Sequence, residues 1–156
     1  MHAAVIDLDG LGIAFAAKSG TGKTTRVQLW KEAMGDRVKV VNGDKPILRF
    51  MDGQLYAFGT PWMGKENLGE NTRVPMKAVC FLERGDTVSI NLMASKEIPG
   101  KLFLQVLLPK EPEQVGRFML LMERFIQSVP FFRLVCNRDR ENPERIWAQM
   151  REMGSF

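Results

Sequence analysis

Apolar positions follow two rhythms along this chain, short alternating or β-branched runs and longer stretches at helical spacing, and the switches between them mark out the elements. Ala3-Ala4-Val5-Ile6 and Gly12-Ile13-Ala14-Phe15-Ala16 flank Asp7-Leu8-Asp9-Gly10, whose Asp-Gly step signals a tight turn, so the segment predicts a hairpin. From Lys23 to Met34 the residues Val27, Trp30 and Met34 recur at i, i+3 and i+7, and Gly35 stands where a helix needs a left-handed stop. Arg37-Val38-Lys39-Val40-Val41 predicts a strand that runs into the turn chemistry of Asn42-Gly43-Asp44. Ile47 to Phe50 and Leu55 to Phe58 predict two more strands around Asp52-Gly53.

Gly59 to Thr72 holds Gly, Pro and Asn without a period, which predicts a long loop of the kind that is usually mobile or functional. Val79 to Leu82 and Val88 to Met93 read as strands joined through Arg84-Gly85-Asp86, and the chain is expected to turn helical after Pro99-Gly100. Phe118, Leu121, Met122 and Phe125 keep helical spacing within Pro112 to Gln127, before a strand from Phe131 to Cys136 and a helix from Pro143 to Met153. No repeat, linker or low-complexity segment interrupts the pattern, and 156 residues suit one domain with a real core.

Composition narrows the class. A hydrophobic fraction of 45% and a charged fraction of 26% are those of a globular protein, and no apolar run approaches the ~18 residues of a membrane span. The start Met1-His2-Ala3-Ala4-Val5-Ile6-Asp7 lacks the pattern of a secretory signal, so a cytoplasmic protein without a membrane partner is expected. A net charge of +4 suits an anionic ligand but is too small and dispersed to argue for nucleic acid, and the alternation in Arg138-Asp139-Arg140-Glu141 reads as a solvated face. Cys80 and Cys136 lie in strand-like apolar runs without metal-ligand spacing and read as inert core thiols, as the ten methionines read as core filler.

The chemistry concentrates in Ala17-Lys18-Ser19-Gly20-Thr21-Gly22-Lys23-Thr24, a phosphate-binding loop pattern with Ala in the first Gly position, led into by a strand and followed by a helix. Gly20 and Gly22 allow the backbone N–H groups to turn toward phosphate oxygens, and the helix start adds partial positive charge. Lys23 would reach the β- and γ-phosphates, and Thr24 would ligate magnesium. Such a site needs a carboxylate at a neighbouring strand end, and Asp44 is the candidate, with Asp36 and Asp52 less well placed. His2 is the only histidine. Arg73 and Lys65 lie in or beside the long loop, where a cation could neutralise a transferring phosphoryl group, and Trp62 beside Pro61 could line a pocket or cap the core.

At Ser19-Gly20-Thr21-Gly22-Lys23-Thr24-Thr25 the chain resembles the phosphate loop of the superfamily of HPr serine kinase/phosphorylase and ATP-dependent phosphoenolpyruvate carboxykinase. The lead-in from Met1-His2-Ala3 through Gly12-Ile13-Ala14-Phe15 is similar to the HPr kinase catalytic domain, in which a histidine precedes two strands and then the loop. Tyr56-Ala57-Phe58-Gly59-Thr60-Pro61-Trp62-Met63-Gly64-Lys65-Glu66 and Val74-Pro75-Met76-Lys77-Ala78-Val79-Cys80-Phe81-Leu82 resemble small kinase-like members of that superfamily found in bacterial peptide-modification neighbourhoods. The resemblance spans residues 1 to about 110. It departs at Gly43, where those kinases carry the first of two adjacent aspartates, and the chain is too short for a whole carboxykinase.

The resemblance implies an α/β domain with a strongly twisted, mixed central sheet and flanking helices, a catalytic core without an N-terminal domain. It implies magnesium-dependent transfer of the γ-phosphoryl of ATP to a hydroxyl, a serine of a protein or peptide. Lys18, Ser19, Gly20, Thr21, Gly22, Lys23, Thr24 and Thr25 would bind the nucleotide, Thr24 and Asp44 the metal, and Asp44 the acceptor hydroxyl. His2 and Arg73 would support the developing charge. The related kinases assemble into oligomers, so a homo-oligomer is a further implication. The missing second aspartate leaves a second reading open, a nucleotide-binding regulatory or interaction module with reduced transfer activity.

Overall fold

The computed structural model describes residues 1–18, 20–137 and 141–156. In chain order it contains β1 (Ala3–Leu8), β2 (Leu11–Ala16), α1 (Lys23–Met34), β3 (Val38–Asn42), β4 (Ile47–Met51) and β5 (Gln54–Phe58). After the long loop come β6 (Arg73–Arg84), β7 (Ser89–Leu92), α2 (Ile98–Phe103), α3 (Pro112–Ser128), β8 (Phe131–Cys136) and α4 (Pro143–Gly154). The predicted hairpin is β1–β2, closed by Asp9 and Gly10, both at positive φ, which matches the twist of the flanking strands. Gly35, at φ 58°, ends α1 as the sequence predicts.

Eight strands form one mixed sheet that branches at β6. β3, β1, β2 and β6 lie side by side, with β2 and β6 parallel and the other two pairs antiparallel. The start of β6, Arg73 to Pro75, pairs with β5, which pairs with β4, whereas its end, Val79 to Arg84, pairs in parallel with β8 and through it reaches β7. β6 therefore begins at Arg73 rather than Val79. Pro75, which hides this extension in the sequence, lies where pairing with β2 begins, beside a register shift between Gly12 and Ile13. The helix expected after Pro99-Gly100 starts instead at Ile98, because a proline in the first turn lacks only an N–H that would have no helical partner.

The sheet is covered on both faces. Ile6, Leu8, Ile13 and Phe15 pack with Val27, Trp30, Ile146 and Met150 of α1 and α4, while Val5, Ala14 and Ala16 pack with Leu102, Met122 and Phe125 of α2 and α3. Successive residues of a strand point to opposite faces, so β1 and β2 are apolar at almost every position. Phe15 meets Trp30 edge to face at 5.2 Å between centroids, fixing α1 against the strand that delivers the phosphate loop. Cys80 is fully buried with its sulfur 3.8 Å from that of Met150, and burial pushes both cysteine thiols up, as expected of inert core thiols. Among the described residues no helix is long and apolar enough to cross a membrane.

Candidate functional site

The loop from Ala17 to Gly22 joins the buried end of β2 to the start of α1, so both its ends are anchored in the core. Gly22 occupies the N-cap with φ 110° and ψ 30°, a conformation that a Cβ would strain, and Gly20 has φ 79°. Thr21 N–H donates to the Lys18 carbonyl at 3.2 Å, and α1 itself begins when Arg26 N–H reaches the Gly22 carbonyl. The first turn of α1 contains no acidic residue, so its positive end is left for an anion. Ser19, one of the predicted nucleotide-binding residues, and Arg138 to Arg140 of the predicted solvated face lie outside the described residues.

Register brings the other site residues here. Pairing Ala3 with Ala16 sets His2 beside Ala17, and pairing Val5 with Asn42 carries the turn after β3 past the start of β1, where Ala3 N–H donates to the Asp44 carbonyl at 2.9 Å. Lys23 Nζ then lies 3.0 Å from His2 Nε2 and donates to the Ala17 carbonyl at 3.3 Å. The same His2 nitrogen is 3.1 Å from Asp44 Oδ1. A single ring nitrogen can accept from Lys23 or donate to Asp44, so the proton on His2 decides which contact is a hydrogen bond. Burial, then the Lys23 charge, pulls the His2 pKa down against the opposing pull of Asp44, and burial likewise lowers that of Lys23.

Asp44 sits on a turn built by one buried amide. Asn42 Oδ1 accepts from the backbone N–H groups of Asp44 and Lys45 at 2.9 and 2.7 Å, while its Nδ2 donates to the carbonyl and hydroxyl of Thr60. Thr60 in turn donates to the Lys45 carbonyl at 2.8 Å, and Lys45 N–H donates to that of Trp62. Residues 59 to 72 are the long loop the sequence predicts, and they are folded against the carboxylate turn. A Cβ at Gly43 would stand 2.9 Å from the Met63 carbonyl oxygen and 3.0 Å from that of Leu68, so the loop fills the space that a second carboxylate side chain would need.

Arg73 is not part of this cluster. It opens β6, the residues of β6 next to the end of β2 being Cys80 and Phe81, and its guanidinium lies 5.5 Å from the Tyr56 ring and 3.7 Å from the Met51 sulfur. The arginine that stands at the phosphate loop is Arg84, at the other end of β6, which donates to the Gly20 carbonyl. With Thr21, Thr25, Arg26 and Asn137 it lines a cleft of about 530 Å³, and Arg26 pairs with Glu141. Gln105 also escapes sequence reasoning. Its backbone carbonyl accepts from His2 N–H at 2.6 Å, and with its amide oriented to donate it reaches the carbonyls of His2 and Ala17 at 3.1 and 3.3 Å. Arg84 could have been found from its place at the carboxyl end of an apolar strand, where open α/β sheets bind ligands. Gln105 carries no such signal.

Of the remaining candidates, Lys65 and Trp62 are exposed on the loop. No group of three or more His, Cys, Asp or Glu among the described residues could cage a metal ion. Thr24 and Asp44 carry the oxygen donors that magnesium takes, an ion that uses one or two protein oxygens and completes its shell with phosphates and water.

Neither a protein-family model nor a curated protein sequence matches this chain. A solved structure does. The HPr(Ser) kinase/phosphatase from Coxiella burnetii superposes with a TM-score of 0.53 over 98% of this chain and 88% of that one, at 13% identity. At that identity the likeness is one of fold: this chain has the mixed α/β architecture of an HPr kinase-like protein.

Proposed function

We propose that the domain is an ATP-dependent phosphotransferase that moves the γ-phosphoryl group to a hydroxyl, a serine of a protein or peptide. The observation that supports this most is the convergence of three separate segments on His2, whose Nε2 lies 3.0 Å from Lys23 Nζ and 3.1 Å from Asp44 Oδ1. Lys23 and the amides of the loop from Lys18 to Thr25 hold the phosphates. Thr24 and Asp44 would hold magnesium, which would supply positive charge against the phosphates. Asp44 also orients the acceptor hydroxyl and takes its proton as the new O–P bond forms and the bond from the γ-phosphorus to the bridging oxygen breaks. His2 keeps Asp44 and Lys23 in register, and Arg84 rather than Arg73 is the arginine at hand to offset phosphate charge.

Gly43 favours a second reading, a nucleotide-binding regulatory module that transfers nothing, because the loop from 59 to 72 closes the place of a second carboxylate. Incubation with γ-labelled ATP and magnesium, with and without lysate of the source cell, separates the two. A labelled acceptor that disappears with Lys23→Ala supports the phosphotransferase. Tight ATP binding with no label transferred and no turnover supports the module, and absence of binding overturns both.

A further inference from the structure

A second concavity opens beside His2, and Arg84 is not among its walls. Its volume is about 560 Å³, and its walls include His2, Lys45, Ile47, Trp62, Gln105 and Leu107. That size is ordinary for a pocket that holds a ligand, about 300–1,000 Å³. Its polar side chains are groups of the site: His2, which touches Lys23 and Asp44, Lys45, whose ammonium is 3.7 Å from Asp44, and Gln105, which binds the backbone of His2. The rest is apolar and open to solvent, with Ile47 54%, Trp62 61% and Leu107 91% exposed. Large apolar side chains gathered around one exposed concavity mark a binding surface.

Position and charge decide the occupant. Two concavities are lined by the phosphate loop, the cleft at Arg84 with Thr21, Gly22 and Thr25 and a smaller one of about 280 Å³ with Ala17, Lys18 and Thr21. Neither includes His2, whereas the 560 Å³ cavity takes in His2, the group that touches both Lys23 and Asp44. In the phosphotransferase reading Lys23 and Asp44 mark the γ-phosphate, which assigns the loop-lined concavities to the nucleotide and the apolar cavity at His2 to the acceptor. Lys45, with its side chain 61% exposed, is the cation in the cavity wall, and it disfavours a basic neighbour on whatever enters.

We infer that this cavity is the acceptor subsite, and that it takes a polypeptide segment with a large aliphatic or aromatic residue next to the phosphorylated hydroxyl and no basic residue beside it. The inference rests on the phosphotransferase reading and names the substrate class for the same site.

Trp62 supplies the probe, because the other two tryptophans, Trp30 and Trp147, are 0% and 7% exposed and a ligand in the cavity reaches only Trp62 of the three. Short peptides holding one serine flanked by Leu, Phe, Ala or Lys are titrated into the full chain and into Lys23→Ala while tryptophan emission is followed, and the same peptides are offered to the wild type with labelled ATP and magnesium. The Leu and Phe peptides are expected to shift emission to the blue in both proteins. In the wild type they are expected to be phosphorylated with kcat/KM about 10-fold or more above the Ala peptide, the scale of filling an apolar pocket, with the Lys peptide poorest. Leu107→Glu, at a site exposed enough to tolerate it, abolishes the shift and the preference and leaves ATP affinity unchanged. No shift with any peptide, or a shift indifferent to the flanking residue, overturns the subsite, as does a loss of ATP affinity in Leu107→Glu, which assigns the cavity to the nucleobase. Transfer without flanking preference overturns the subsite alone, whereas binding of the Leu peptide without transfer by the wild type overturns the phosphotransferase reading with it.

Discussion

Asn42 and Thr60, eighteen residues apart in sequence, are joined through two hydrogen bonds from one buried amide: Asn42 Nδ2 donates to the Thr60 carbonyl at 3.1 Å and to its hydroxyl at 3.0 Å. The opposite end of the same side chain holds the turn that carries Asp44. The long loop and the candidate carboxylate are therefore parts of one hydrogen-bonded unit.

Thr60→Val keeps the shape of the side chain but leaves the Lys45 carbonyl without its donor and Asn42 Nδ2 with one of its two acceptors. It is expected to destabilise the domain by about 1–3 kcal/mol, the cost of stranding buried polar groups. It should also lower phosphoryl transfer more than nucleotide affinity, because the phosphate loop is untouched. Chemical denaturation and ATP titration on the same preparation check both parts. Unchanged stability and turnover would show that the loop and the turn are held by other contacts.

Gly43→Asp is expected to damage the site rather than restore a two-carboxylate arrangement. The new Cβ would meet carbonyl oxygens of Met63 and Leu68 at 2.9 and 3.0 Å, so the loop must move away from the turn. Limited proteolysis should cut residues 59 to 72 faster than in the wild type, with transfer reduced. A variant with wild-type protease resistance and higher transfer would show that the loop yields without cost.

Asp44→Asn should separate binding from chemistry. It keeps the shape of the side chain but removes the charge that would hold magnesium and accept the hydroxyl proton, so transfer is expected to fall roughly a hundredfold or more. Metal-free nucleotide binding should change little. Lys23→Ala, by contrast, should weaken binding and turnover together, since phosphates are held in ground and transition states alike. Transfer by Asp44→Asn at the wild-type rate would place the catalytic carboxylate elsewhere.

Acid should loosen the ion-pair cluster at Arg133. Its Nη2 binds Glu97 at 2.7 Å and its Nε lies 3.2 Å from Glu83, which Lys101 also binds at 2.6 Å. The Lys101 hydrogen bond foremost holds the Glu83 carboxyl below its ordinary 4.5, and the Arg133 hydrogen bond does the same for Glu97. A carboxyl lowered in the folded state adds stability that is present above its unfolded pKa and is lost as pH falls through the folded one. Thermal midpoints measured from about pH 6 to about pH 3 should therefore fall, and Arg133→Gln should flatten the part of the fall below pH ~4.5. Equal slopes in the two proteins would remove this cluster from the acid response.

The local elements were legible because their causes are local. The Asp9-Gly10 turn with its two apolar runs, Val27, Trp30 and Met34 before Gly35, and the glycines of the phosphate loop each act within a few residues, and the hairpin, α1 and the loop formed where those patterns lie. The candidate carboxylate was legible too, because turn chemistry at Asn42-Gly43-Asp44 ends a strand. What surrounds it was not. Which residues meet depends on strand order and register: β1 lies between β2 and β3, so His2 falls beside both Lys23 and Asp44, and β6 runs long enough to carry Arg73 to one end and Arg84 to the other. In strands buried on both faces nearly every position is apolar, so the hydrophobic pattern does not encode which neighbour a strand takes or where it branches. Only the packed sheet, with α1 and α4 on one face and α2 and α3 on the other, decided that Arg84 and Gln105 join the site and Arg73 does not.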